Sequence, residues 1–89
     1  MLFMTVYTYE PENREAVIKK RAEKGGLVPA GAKLLGEWSA VTGGKVFRLV
    51  EAEDTRALLA TAHPWADLGK IECYPVMSVD DVIKLLTKK

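Results

Sequence analysis

Residues 33–53 read KLLGEWSAVTGGKVFRLVEAE, and this stretch decides the fold because it predicts two β-strands joined by a glycine turn. Apolar and polar residues alternate on both sides of the glycines, which is the period of two that a pleated strand requires. A two-residue turn at Gly43-Gly44 would pair Trp38 with Leu49. Both strands would then place their apolar side chains on the same face of the hairpin.

The elements on either side of this hairpin have clear boundary signals. Pro11 suits the first turn of a helix, and Pro64 should end a later one because proline lacks a donor N–H. Ser78 with Asp81 three residues later is typical of a helix N-terminus. The sequence therefore predicts a strand, a helix, the hairpin, a second helix, a last strand and a closing helix, which begin near residues 2, 11, 33, 53, 70 and 78.

This order is β-α-β-β-α-β with an extra C-terminal helix, which predicts an α+β, ferredoxin-like fold in a single domain over residues 1–89. The helices of such a fold cover one face of an antiparallel sheet, so the other face needs separate cover. A chain of 89 residues also lies near the size at which oligomerisation often supplies part of the stability. We therefore expect a homodimer or a higher homo-oligomer, and a dimeric α/β barrel.

We assign the more aliphatic side of the predicted sheet to the helices. Its members are Leu2, Met4, Val6, Leu34, Trp38, Phe47, Leu49, Ile71 and Cys73. The opposite side would carry Thr5, Tyr7, Tyr9, Leu35, Glu37, Ser39, Val46, Arg48, Val50, Glu72, Tyr74 and Val76. Because this second set is aromatic yet charged, we expect a partner subunit to cover it and enclose a chamber lined with tyrosine, glutamate and arginine.

The composition excludes several classes of function. Thirteen basic and 12 acidic residues, mixed along the chain, argue against nucleic acid or membrane surfaces as partners. The first residues are apolar but carry no leader signal and are too few to cross a bilayer. A lone cysteine, Cys73, and a lone histidine cannot build a metal site, and the cysteine suits a reducing cytoplasm. No phosphate loop is present, and we expect no cofactor and no metal. Glutamine is absent, a bias found in heat-adapted proteins.

The candidate ligand-binding residues are the polar members of the tyrosine-containing face, which are Tyr7, Tyr9, Glu37, Arg48, Glu72 and Tyr74. Arg48 lies mid-strand among apolar neighbours, where an unpaired guanidinium is costly. It needs either a carboxylate partner such as Glu37 or an anionic ligand. The tyrosine hydroxyls could bind a carbonyl or carboxylate in a small pocket, or they could belong to half-buried packing residues.

His63 is the candidate for acid–base catalysis, because an ordinary histidine titrates near neutral pH. Asp67, four residues on, could orient the imidazole. The alternative is a helix-terminal histidine with no chemical role, since His63 directly precedes Pro64.

Several segments, MLFM, PAGAKLLGEW, FRLVEAED, WADL and YPVMS, resemble a small uncharacterised family, a domain of unknown function, in the dimeric α/β-barrel superfamily. The superfamily includes muconolactone-isomerase-like enzymes, YciI-like proteins and small monooxygenases, so the resemblance implies a homodimer but no single chemistry. YciI-like proteins end the helix after the third strand in Asp-Pro beside a histidine. Here the similar place reads His63-Pro64, so that dyad is not carried over.

The sequence thus favours a cytoplasmic homodimer that binds a small polar or anionic molecule in a cleft between sheet and helices. One alternative is a cofactor-independent enzyme of the types just named, which would use His63 or a tyrosine for proton transfer or oxidise an aromatic substrate. Another is a structural or protein-interaction module without a small-molecule site.

Overall fold

The computed structural model describes residues 1–87. Its strands and helices are β1 (Leu2–Thr8), α1 (Arg14–Lys24), β2 (Ala32–Ser39), β3 (Lys45–Ala52), α2 (Thr55–Ala62), β4 (Lys70–Pro75) and α3 (Val79–Thr87). Short 3-10 turns precede α1 and follow α2. The predicted order of elements, including the extra C-terminal helix, is confirmed.

The four strands form one antiparallel sheet in the order β2-β3-β1-β4. This is the ferredoxin-like arrangement that the order of elements predicts, so the fold class is α+β as expected. The last strand, β4, lies at an edge of the sheet and ends at Pro75. Proline has no N–H to donate, and an edge strand tolerates this loss better than an inner strand does.

The helix boundaries follow from local chemistry. Asp54 Oδ1 accepts a hydrogen bond from the Ala57 amide at 2.9 Å, and Ser78 Oγ accepts one from the Asp81 amide at 3.1 Å. Gly25 ends α1 with a φ of 72°, a conformation that glycine adopts without strain. α2 ends at Ala62, and the chain continues into the 3-10 turn that contains Pro64.

The predicted register of the central hairpin is wrong by two residues. Trp38 lies opposite Phe47, not Leu49, because the connection is longer than two residues. The Ala40 amide donates to the Lys45 carbonyl at 2.9 Å, and the Gly43 amide donates to the Ala40 carbonyl at 2.8 Å. The connection therefore starts with a turn from Ala40 to Gly43, and Gly43 and Gly44 then take positive φ angles before β3 begins. A shift of two residues keeps every side chain on its face, so Trp38 and Phe47 still share one side of the sheet.

A β-bulge at Leu35 changes which residues of β2 share a face. Leu34 lies opposite Val50, whereas Gly36 lies opposite Leu49, so one extra residue is inserted between them. The bulge reverses the alternation after Leu34. Leu34 and Glu37 consequently face the same side of the sheet, although an unbroken strand would separate them.

The helices cover the opposite side of the sheet from the one that we assigned to them. Phe3, Val50 and Ala52 pack against Ala57 of α2, while Tyr7 and Tyr9 pack against Val17 of α1 and Trp65. Of the aliphatic set, only Leu34, Ile71 and Cys73 lie on the helix side, since they pair with Val50, Tyr7 and Thr5. The prediction was wrong because tyrosine and phenylalanine rings bury more apolar area than the valine and methionine side chains opposite them.

The other side of the sheet, which we call the open face, carries Leu2, Met4, Val6, Gly36, Trp38, Phe47, Leu49, Glu72 and Tyr74. No described element covers it, and Trp38 is 56% exposed. Helix α3 is equally unpartnered: Val79, Ile83 and Leu86 recur at helical spacing and are 72%, 52% and 76% exposed. No helix in the part of the chain that the structure describes is long and apolar enough to cross a membrane.

Candidate ligand-binding site

A single polar row crosses the helix-covered side of the sheet. Its members, called the polar row below, lie opposite one another on the four strands and are Glu37, Arg48, Thr5 and Cys73. Apolar and aromatic residues occupy the neighbouring rows, including Val50 and Phe3 on one side and Val46, Tyr7 and Ile71 on the other. Polar groups under a layer of helices need partners, so this row is the natural place for a site.

Glu37 is shared between two arginines. Its Oε1 lies 2.8 Å from Arg21 Nη2 of α1, and its Oε2 lies 3.3 Å from Arg48 Nε of β3. Arg48 also donates from Nη2 to the Gly26 carbonyl at 2.9 Å. Burial lowers the pKa of Arg48, and Glu37 partly opposes that effect. Two guanidinium groups meet one carboxylate here, which leaves an excess of positive charge.

A cavity of about 50 Å³ lies between the polar row and the helices. We call it the inner cavity, and its lining consists of Thr5, Tyr7, Val17, Arg21, Glu37, Val46, Arg48, Leu58, Thr61, Ala62, Trp65 and Ile71. Most of this lining is apolar, with the charged groups at one part of the wall. Pockets of this kind, apolar with a few placed polar groups, are typical of small-molecule sites.

Three of the lining residues carry a buried polar atom that lacks a hydrogen bond. Within residues 1–87, the buried side-chain atoms without a hydrogen-bond partner are Tyr7 Oη, Arg48 Nε and Trp65 Nε1. The arginine and indole nitrogens can only donate, and the phenol can donate or accept. A buried donor without an acceptor costs about 1–3 kcal/mol. Tyr7 Oη and Trp65 Nε1 therefore belong to lining residues of the inner cavity and would gain from an acceptor within reach, whereas Arg48 Nε has Glu37 Oε2 at 3.3 Å.

Aromatic rings form one wall of the inner cavity. The Tyr7 ring lies 6.0 Å from the Trp65 ring in an edge-on arrangement and 5.9 Å from the Tyr9 ring. Lys20 of α1 fixes this wall from outside, since its ammonium lies 5.2 Å from the Trp65 ring centre and donates to the Pro64 carbonyl. The same ammonium lies 3.1 Å from Asp67, and this hydrogen bond lowers the Asp67 pKa.

Burial raises the pKa of Tyr7 to about 12, with smaller contributions from Asp67 and Tyr9. The phenol therefore stays protonated at neutral pH, where it is a hydrogen-bond donor and not a base. An unfolded tyrosine ionises near pH 10, so the folded chain holds this proton where the unfolded chain loses it.

We expect Tyr7 to stabilise the fold fully below pH 10, and we expect that contribution to be lost as the pH rises from 10 to about 12. Denaturant unfolding at several pH values should record the fall, and ultraviolet absorbance should show one of the three tyrosines ionising last. Tyr7→Phe should flatten the stability curve in this window. A curve as steep as that of the wild type would contradict the assignment to Tyr7.

The structure brings together half of the predicted ligand-binding residues. Tyr7, Glu37 and Arg48 line the inner cavity, and Tyr9 lies beside it in the same aromatic cluster. Glu72 and Tyr74 lie on the open face, where the Tyr74 hydroxyl donates to Glu72 at 2.6 Å. That hydrogen bond raises the Tyr74 pKa. The expected single face was wrong for these two residues, because β4 places Glu72 opposite Val6 and not opposite a tyrosine.

His63, the predicted acid–base residue, is exposed in the 3-10 turn after α2 and is not part of the cavity lining. Cys73 is half-buried in the polar row, and burial raises the pKa of its thiol. Among residues 1–87 no group of three or more His, Cys, Asp or Glu side chains is placed to hold a metal ion.

No local pattern predicts a site role for Arg21 or Thr61, and only a weak one does so for Trp65. Arg21 belongs to a run of basic residues at the end of α1 that is typical of a solvated helix face, and an isolated tryptophan such as Trp65 is more often a packing residue than a binding one. Thr61 is buried and donates to the Ala57 carbonyl at 2.8 Å within α2. Only the packing of α1 and α2 over the sheet brings these side chains to the polar row.

Comparison with known proteins supports the fold. A solved structure from Deinococcus radiodurans, described as a candidate antibiotic biosynthesis monooxygenase, superposes with a TM-score of 0.51 and 12% identity. The alignment covers 88% of this chain and 93% of that one. At this identity the likeness concerns the fold alone. No curated protein matches the sequence. A family model does match, over residues 1–89, and by this match the chain belongs to the family described as Domain of unknown function (DUF3303).

Proposed function

We propose that this protein binds a small polar or anionic molecule in the inner cavity, between the sheet and the helices, and that it does so as a homodimer. The observation that carries the proposal is a pair of buried side-chain atoms without hydrogen bonds, Tyr7 Oη and Trp65 Nε1, on residues that line one cavity together with Arg48. A carbonyl or carboxylate oxygen of a ligand would supply the missing acceptor.

The charges around the cavity favour an anion over a cation. Arg21 and Arg48 share the single carboxylate of Glu37, so the trio has one positive charge in excess. Arg48 is only 6% exposed, and a buried guanidinium gains strongly from a second hydrogen-bonded anionic partner. The raised pKa of Tyr7 keeps a further donor available in the same cavity.

The size of the inner cavity limits what it can hold. Its volume of about 50 Å³ is well below the roughly 150 Å³ of a cavity that binds benzene. It therefore suits a head group of a few atoms, such as a carboxylate or a ketone, and not a ring system. Any larger part of the ligand must lie outside it.

The homodimer is supported by two apolar surfaces that do not meet within one chain. The open face is apolar at Val6, Phe47 and Trp38, which lie in register across three strands. Helix α3 presents its own unpartnered apolar stripe. Exposed apolar patches of this kind mark interaction sites, and a second copy of the same chain would cover both. The single cysteine supports a reducing, cytoplasmic location.

The binding proposal is tested with 4-oxopentanoate, which carries both a ketone and a carboxylate. We expect it to raise the melting temperature and to shift the indole N–H signal of Trp65, but not that of Trp38 on the open face, in a proton–nitrogen NMR spectrum. Arg48→Ala should abolish this stabilisation, because Arg21 alone would then have to neutralise Glu37.

The matched control is Arg56→Ala, since Arg56 is an exposed arginine of α2 outside the cavity lining. It should keep the full stabilisation. Equal stabilisation of the Arg48→Ala variant and the wild type would reject the role of Arg48. Native mass spectrometry of the purified wild type would report any co-purifying small molecule directly.

A further inference from the structure

A second, larger depression adjoins the inner cavity. It is a groove of about 580 Å³, called the outer groove below, and its lining consists of Tyr9, Arg14, Val17, Ile18, Arg21, Ala22, Gly25, Glu37, Ser39 and Val46. Four of these residues, Val17, Arg21, Glu37 and Val46, also line the inner cavity. The two spaces therefore share a wall between α1 and β2.

The Arg21–Glu37 ion pair lies in that shared wall. The two side chains join α1 to β2 through contacts of 2.8 Å from Nη2 and 3.0 Å from Nε to the same carboxylate oxygen. Arg21 is 43% exposed, whereas Glu37 is 22% exposed. An ion pair that is partly in water is weak, so a ligand can exchange one of its partners at small cost.

Glu37 would keep a positively charged partner even if Arg21 moved away. Its other oxygen, Oε2, lies 3.3 Å from Arg48 Nε, an atom that makes no hydrogen bond in the described arrangement. If Arg21 turned towards a ligand, Glu37 could complete its bond to Arg48, and both buried charges would keep a partner. The exchange therefore frees one guanidinium without leaving a carboxylate unpaired.

The charges of the outer groove match such an exchange. Its charged lining residues are Arg14, Arg21 and Glu37, so it carries two cations and one anion, and the anion already has a second partner in Arg48. The apolar residues Ile18 and Ala22 would contact an uncharged part of the ligand. The groove thus suits an anionic group attached to a short apolar segment.

We propose that Arg21 is the specificity-determining residue of the site and that the ligand is a two-ended molecule: an uncharged carbonyl head in the inner cavity and a carboxylate in the outer groove on Arg21. The inference rests on the proposed function, and it adds to it the class of ligand, a short oxo acid. Guanidinium binds carboxylate through two parallel hydrogen bonds, which a bare ketone cannot make.

The test compares 4-oxopentanoate with 2-pentanone, which has the same ketone and a similar length but no carboxylate. Binding is followed by the Trp65 indole N–H shift in the full-length protein. We expect the oxo acid to bind about tenfold more tightly than the ketone in the wild type, as one charge-assisted hydrogen bond implies. In Arg21→Gln the two affinities should become equal, and Arg21→Lys should retain part of the preference.

Lys24→Gln is the control, since Lys24 is an exposed cation one turn further along α1 and outside both linings. It should keep the tenfold preference. A preference that survives in Arg21→Gln would overturn the assignment of Arg21. If the ketone and the oxo acid bind the wild type equally well, the two-ended ligand is wrong while the binding proposal stands. If neither shifts the Trp65 signal, the binding proposal itself fails.

Discussion

Replacing Gly69 with alanine is expected to destabilise the fold by about 3 kcal/mol, because the added methyl group would overlap atoms that cannot move aside. A Cβ at position 69 would lie 2.5 Å from the Thr8 carbonyl oxygen and 2.7 Å from Tyr7 Cε1. The first atom belongs to the backbone of the central strand β1. The Tyr7 ring is held between Tyr9 and Trp65, so it cannot rotate away either.

The measurement is thermal unfolding, where a loss of this size should lower the melting temperature by roughly 10–20 °C. Gly25→Ala separates the steric part from the backbone part: a Cβ there meets nothing within 4 Å, so its cost of about 1–3 kcal/mol would come only from a φ of 72° with a ψ of −159°, angles that essentially only glycine adopts. A Gly69→Ala variant that melts at the wild-type temperature would contradict the predicted overlap. Because Tyr7 lines the inner cavity, Gly69→Ala should also weaken ligand binding.

Phe47→Lys should convert the proposed homodimer into monomers. Phe47 lies between Val6 and Trp38 in the row that crosses the open face, so a lysine there would be buried without a partner at the centre of a sheet-to-sheet interface. An unpaired buried charge costs several kcal/mol, which weakens association on the order of 100-fold or more. Within one chain the same position is only half-buried, and the monomer should still fold.

Native mass spectrometry and sedimentation at several protein concentrations would measure the change. Leu59→Lys is the matched control, because Leu59 is a 66% exposed leucine on α2, on the other side of the sheet. It should leave the dimer intact. A wild-type chain that is monomeric at all concentrations would overturn the homodimer, and the open face would then have to bind a different partner. Dissociation by both variants would mean that the interface is not confined to the open face.

Local signals in the sequence predicted the elements well. Asp54 and Ser78 begin helices where their side chains can accept from free backbone amides, and these bonds need only residues three positions away. Gly25 ends α1 for an equally local reason, its positive φ. The order of elements then left few topologies to choose from, and the sheet order followed.

The site was predicted in part. Arg48 and Glu37 were recognised because charges inside a strand of apolar residues need partners, and they do lie 3.3 Å apart. Arg21 and Trp65 come from segments 27 and 17 residues away from Arg48 in the sequence, and neither carries a local pattern that points to the cavity. Glu72 and Tyr74 were wrongly grouped with Tyr7, since the pairing register of β4 has no signal in its own six residues or in those of β1.

The sequence by itself determined the number, type and order of the elements, and the alternation of side chains along β1, β3 and β4. Only the tertiary structure decided which face the helices cover, and it placed Tyr7, Glu37 and Arg48 under α1 and α2. The physical reason is that alternation has a period of two, so it divides a strand into two sets without saying which set is inside. Both sets are apolar here, and the bulge at Leu35 moves Leu34 to the set that contains Arg48 and Val50.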